Sequence, residues 1–216
     1  MKSSIGRGSS PTACYSWSYP MDLSPVLLPV LLGLTPVKQT LPEELTPLRE
    51  SLQRTVTLSA RFEQTKHLKA LRDALVTTGQ LHYRKGGRLI WHTDPPGESD
   101  LVLEGTTATL KMAGMSSAQA FDLSSEPGMG KVFETLRAVL EADLERLTPL
   151  FELQIIRARP LGISLKPRTE ALGRVLQAIR LDFDDRYRLL HVSLKEPDGD
   201  WTDIAFRNHV IETAGR

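Results

Sequence analysis

Apolar residues recur along this chain with two different periods. Leu41, Leu45, Leu48 and Leu52 are spaced four, three and four apart, which predicts one apolar stripe on a helix over residues 41–54. Thr40-Leu-Pro-Glu43 ahead of it reads as a capping box. The Thr40 hydroxyl accepts from the Glu43 N–H, the Glu43 side chain reaches back, and Pro42 sits in the first turn, where a missing donor costs little. The period then falls to two. Leu58, Ala60 and Phe62 alternate with Ser59, Arg61 and Glu63, the mark of a half-buried strand.

Extended character continues over Ala74–Lys85, turns at Gly86-Gly87, and resumes over Arg88–Thr93 with Leu89 and Trp91 on one face. Asp94-Pro95-Pro96-Gly97 ends that strand, and Leu101–Leu103 and Thr107–Met112 form a hairpin around Glu104-Gly105. Residues 114–130, rich in Gly and Ser, read as a long loop. A second amphipathic helix is expected over Lys131–Arg146, striped by Val132, Phe133, Leu136, Val139, Leu140 and Leu144. Leu150–Arg159, Leu161–Lys166, Val175–Asp184, Arg188–Glu196 and Trp201–Asn208 return to near-alternation, with Leu181 and Phe183 on an apolar face. About ten strands at short spacing predict an antiparallel meander.

The fold class that follows is α+β: a curved antiparallel sheet forming an incomplete (half) β-barrel, with the helices as a lid on its concave face. A sheet this long curls, and its concave side encloses more volume than two helices fill. The expected remainder is an apolar cavity lined by Leu58, Phe62, Leu81, Leu89, Trp91, Leu103, Leu181 and Phe183 from the strands, and by Phe133, Leu136 and Leu140 from the helix.

Composition narrows the function. A formal net charge of +1 offers no concentrated basic footprint for nucleic acid. The single Cys14 permits no intrachain disulfide. Residues 1–40 read as a leader, either signal-like or disordered. Their Met21–Leu34 stretch has the length of a signal-peptide apolar region but contains Pro25 and Pro29, and Cys14 precedes it. Residues 41–216 read as a single domain. No G-x-S-x-G, Walker A or G-x-G-x-x-G motif is present, so no enzyme and no cofactor is expected. His82 and His92 offer only two nitrogens across one hairpin, so no metal site is expected; Asp182, Asp184 and Asp185 read as a solvated turn.

Phe62-Glu-Gln64, Gly79-Gln-Leu81, Arg84-Lys85 and Leu89-Ile-Trp91, followed by Leu101–Gly105 and a closing Asp198-Gly199 turn with Phe206 and Asn208, resemble in order the periplasmic outer-membrane lipoprotein carriers of the LolA type. The resemblance spans residues 41–210. It implies a periplasmic, monomeric carrier that binds acyl chains of a lipoprotein or lipid in an apolar cavity. It also implies delivery towards the outer membrane, with an inner-membrane ABC transporter as donor and an outer-membrane acceptor. In that family a basic residue before the Trp strand latches the lid through its backbone carbonyls. The matching position is Lys85, beside Arg84; the family has Arg-Pro there and this chain Lys-Gly, and a lysine lacks the planar fork. The alternative is a non-transporting envelope interaction or sensor module on the same scaffold.

Overall fold

The computed structural model describes residues 41–123, 129–141 and 143–215, with backbone only for 129–132. The leader, the Thr40 cap and residues 124–128 of the expected loop lie outside the described residues. A 3-10 turn (Glu43–Leu45) leads into helix α1 (Thr46–Arg54), whose Leu48 and Leu52 are buried, as is Leu45 before it. The apolar stripe is thus where its spacing puts it.

The strands follow as β1 (Thr55–His67), β2 (Leu75–Arg84), β3 (Arg88–Thr93), β4 (Ser99–Glu104), β5 (Thr107–Met112) and β6 (Gln119–Asp122). After helix α2 (Met129–Leu140) come β7 (Phe151–Arg157), β8 (Gly162–Pro167), the short helix α3 (Glu170–Gly173), β9 (Ala178–Phe183), β10 (Leu189–Lys195) and β11 (Trp201–Thr213). All eleven strands form one sheet in the order β6-β5-β4-β3-β2-β1-β11-β10-β9-β8-β7. Every pairing is antiparallel. The two end strands, β6 and β7, do not pair with each other, so the sheet is open, as expected of an incomplete barrel.

Several elements differ from the sequence reading. The first helix, expected over 41–54, is α-helical only from Thr46, after the 3-10 turn, and α3 adds a short helix to the expected elements. β6 lies within the segment read as loop; β11 runs to Thr213 instead of stopping at Asn208; and the second helix ends at Leu140, with a separate 3-10 turn at Leu144–Arg146.

One face of the sheet carries the core. Leu58, Ala60 and Phe62 of β1, Leu81 and Tyr83 of β2, Leu89 and Trp91 of β3, and Leu101 and Leu103 of β4 are all buried, as alternation demands. The opposite face holds ion pairs such as Arg61–Asp94 at 2.8 Å and Arg180–Asp182 at 2.8 Å; half-exposed pairs of this kind contribute ~0–1 kcal/mol each.

Both helices bury their apolar sides in the same cluster as the sheet: Leu48 and Leu52 from α1, Leu136, Ala138, Val139 and Leu140 from α2. α2 joins strands at opposite ends of the sheet order and so crosses its apolar face. Its Phe133 meets Trp91 edge-on with ring centroids 6.4 Å apart, and its Arg137 donates to the Gly105 carbonyl in the β4–β5 turn.

Candidate functional site

The middle of the concave face is filled. Phe62 stacks on Trp91 at 4.1 Å, and Trp91 meets Phe206 edge-on at 6.1 Å. Each such ring pair is worth ~0.5–1.5 kcal/mol beyond its burial. The Phe62 ring lies over Gly79, its cross-strand partner, where the absent side chain makes room. The Tyr83 hydroxyl is buried and has no hydrogen-bond partner among the described residues. Burial, with Glu141 adding to it, pushes its phenol well above the usual tyrosine value.

A cavity of about 640 Å³ opens at one end of this core, within the ~300–1,000 Å³ range of ligand pockets. Four parts of the fold wall it. α1 and the start of β1 supply Ser51, Leu52, Arg54, Thr55 and Leu58. The end of α2 supplies Val139 and Leu140. The end of β9 and the β9–β10 turn give Phe183, Arg186, Tyr187, Arg188 and Leu189, and the last third of β11 adds His209, Ile211 and Thr213. The apolar members face the interior of the half-barrel; the polar ones come from the helix end, the turn and the strand terminus.

Two local devices shape these walls. In β11 the register against β1 shifts by one residue opposite Ser59–Arg61, and Asn208 takes φ +54°. This is a β-bulge, which an Asn tolerates in the left-handed region. It changes the phase, so that residues 209, 211 and 213 line the cavity where 202, 204 and 206 had faced the core. His209 then reaches the Leu189 carbonyl through Nε2 at 2.8 Å, tying β11 to the start of β10.

The second device is the β9–β10 turn, built around Asp184. Its Oδ1 accepts from the backbone N–H groups of Arg186 at 3.0 Å and Arg188 at 2.8 Å, and its Oδ2 accepts from Arg188 Nε at 2.6 Å. Tyr187 sits at φ +60° within the turn, a conformation costly for a bulky residue. Burial works against ionising Asp184, but the Arg188 and Arg186 N–H groups and the Arg188 guanidinium outweigh it, holding the carboxyl below the ordinary carboxylate value. Its stabilising contribution is therefore complete above about pH 4, the unfolded value, and is lost as pH falls through the lower folded value. Asp184→Ala should cost about 1–3 kcal/mol in urea unfolding at neutral pH. That difference should shrink as the titration is repeated below about pH 4.

Of the cavity residues expected from sequence, Leu58, Leu140 and Phe183 line the hollow. Phe62, Leu81, Leu89, Trp91, Leu103, Leu136 and Leu181 are instead buried in the solid core, and Phe133 packs half-buried against it. The reason is volume: Phe62, Trp91 and Phe206 pack ring against ring, and Phe133 of α2 closes on Trp91, so aromatic side chains occupy the middle of the sheet's apolar face. Lys85 Nζ donates to the Gln53 carbonyl of α1 at 2.5 Å, while its backbone N–H bonds the Val56 carbonyl. Arg84 is exposed at the end of β2.

His82 bonds Ser59 and His92 bonds Asp100, so the two histidines are engaged with different partners. Asp182 pairs with Arg157 and Arg180. Trp201 is part-exposed and stacks on His67 at 4.2 Å.

An open antiparallel sheet, helices packed into its hollow side and a part-apolar cavity at one end define a half-barrel scaffold. The chain belongs to the LolA family, described as outer membrane lipoprotein carrier protein LolA, whose model matches residues 53–214. The family is one of carriers. An outer-membrane lipoprotein carrier protein of Pseudomonas fluorescens (strain Pf0-1) is 26% identical over 164 residues, covering 76% of each chain. One from Azotobacter vinelandii (strain DJ) is 27% identical over 139 residues, 64% of each. Among solved structures, a LolA superfamily protein from Nitrosomonas europaea aligns over 80% of this chain and 93% of its own, with TM-score 0.41 and 11% identity.

Proposed function

We propose that this protein is a periplasmic carrier that takes acyl chains of a lipoprotein or lipid into the cavity beside α1 and ferries them towards the outer membrane. The observation that carries the reading is the hollow bounded by Leu58, Leu140, Phe183, Leu189 and Ile211, between both helices and the sheet, in a member of a carrier family. The physics suits a carrier without a catalytic group. Ten buried methylenes at ~0.8 kcal/mol each contribute roughly 8 kcal/mol, and apolar attraction is indifferent to chain identity. An inner-membrane ABC transporter as donor and an outer-membrane acceptor belong to the same reading.

In this reading α1 is the movable part of the lid and Lys85 its latch. The Lys85–Gln53 bond, the Ser51 hydroxyl on the Arg186 carbonyl and the Arg49–Glu145 pair hold the helix to the rest of the fold. These are few and exposed, so opening α1 costs mainly the burial of Leu45, Leu48 and Leu52 and the Ala214 N–H bond to the Arg54 carbonyl. Lys85→Met should speed amide hydrogen exchange over residues 48–54 several-fold. The global urea midpoint should move by less than the equivalent of about 1 kcal/mol. Unchanged exchange would remove the latch role.

The filled middle of the concave face favours a second reading, a non-transporting interaction or sensor module on this scaffold. Native mass spectrometry of the purified full chain separates the two. Acyl species that co-purify and exchange with added fatty acid support the carrier; a bare mass that stays bare with excess fatty acid overturns it.

A further inference from the structure

The cavity wall is not uniformly greasy. It carries Arg54, Arg186, Arg188 and His209, and no carboxylate among its lining residues. Arg188 is neutralised by Asp184 at 2.6 Å. Arg54 and Arg186 have no acidic partner within ion-pair distance among the described residues, and both are exposed. They come from different elements: Arg54 ends α1, and Arg186 sits in the β9–β10 turn. The Ser51 hydroxyl bonds the Arg186 carbonyl at 3.4 Å, so the helix end and the turn are fastened at the same side of the hollow. The turn itself is held in a left-handed conformation at Tyr187 by the Asp184 carboxylate, which fixes where Arg186 leaves the backbone.

Two unpaired guanidinium groups beside an apolar cavity are a poor arrangement for a purely neutral ligand. Each is solvated until an incoming chain partly dries the region, which raises the cost of a charge left without a partner. An anionic group at the end of that chain removes the conflict. Guanidinium forks match phosphate and carboxylate oxygens bidentately.

Resting on the acyl-carrier reading, we propose that the cavity takes an anionic amphiphile: the chain against Leu58, Leu140, Phe183 and Ile211, and a phosphate or carboxylate headgroup on Arg54 and Arg186. The site thereby selects by headgroup charge while staying tolerant of chain type.

Calorimetric titration of the full chain with three probes tests this: lauroylglycerol, lauroylglycerol phosphate and inorganic phosphate. The phosphate-bearing lipid should bind about tenfold or more tightly than the neutral one, as expected of charge-assisted bonds. The ratio should fall towards one in Arg54→Gln/Arg186→Gln. In the unmodified chain, added sodium chloride should shrink it as screening predicts. Equal affinities for the two lipids, or a preference that survives both substitutions and salt, overturns the headgroup site and leaves the carrier reading standing. Inorganic phosphate binding as tightly as the lipid phosphate overturns the amphiphile in favour of a plain anion site. Binding of neither lipid overturns both readings.

Discussion

Gly79→Ala should be severely destabilised, by about 4 kcal/mol or more, a large effect for one added methyl group. A Cβ at residue 79 would lie 1.9 Å from the His92 carbonyl oxygen and 2.5 Å from the Phe62 ring. The ring can rotate away only by leaving its stack on Trp91, and the carbonyl belongs to the β2–β3 ladder and cannot move alone. Overpacking usually costs ~1–3 kcal/mol, and a backbone collision exceeds that. A loss of about 4 kcal/mol or more would consume much of a typical ~5–15 kcal/mol total stability. Far-ultraviolet circular dichroism and urea unfolding read the outcome directly. A cooperative transition with a midpoint near that of the unmodified protein would mean the close approach of β2, β3 and Phe62 is misplaced.

Ile211→Trp should weaken acyl binding by about fiftyfold and leave the fold intact, the opposite pattern. Ile211 pairs with Leu58 across β1 and β11, and both line the cavity. An indole there grows into open volume instead of packed side chains, so little overpacking follows. Displacing about three methylenes of a bound chain removes roughly 2.4 kcal/mol, or about fiftyfold in affinity. Fluorescent fatty-acid displacement measures it, with thermal melting as the control for folding. Full affinity in this variant would put the chain elsewhere.

The sheet was legible because period-two burial is written directly into the residues. Leu58, Ala60 and Phe62, or Ile179, Leu181 and Phe183, need no tertiary knowledge to be read. β6 was not, because Gln119–Asp122 offers one inward aromatic, Phe121, within a Gly- and Ser-rich stretch. Pairing with β5 decides its conformation, not its own pattern. The end of β11 was missed for a different reason. The bulge at Asn208 reverses the phase of alternation, so the continuation looks like the strand's end.

The candidate site was harder still. An amphipathic pattern says which side chains face inward, but not which fill the core and which border a void. Phe62, Trp91 and Phe206 close the middle only because three strands bring their rings together. Arg54 and Arg186 acquire meaning only when a helix end and a turn 132 residues apart in sequence meet at one wall (186 − 54).

On the proposed function, an acyl chain occupies the hollow beside α1. Photo-crosslinking of the full chain with a diazirine-bearing palmitoyl probe, followed by peptide mapping, tests it most directly. Adducts should be confined to peptides carrying Leu58, Leu140, Phe183, Leu189 and Ile211, and be suppressed by unlabelled fatty acid. Adducts spread over the outer face of the sheet, or unaffected by competitor, would contradict it.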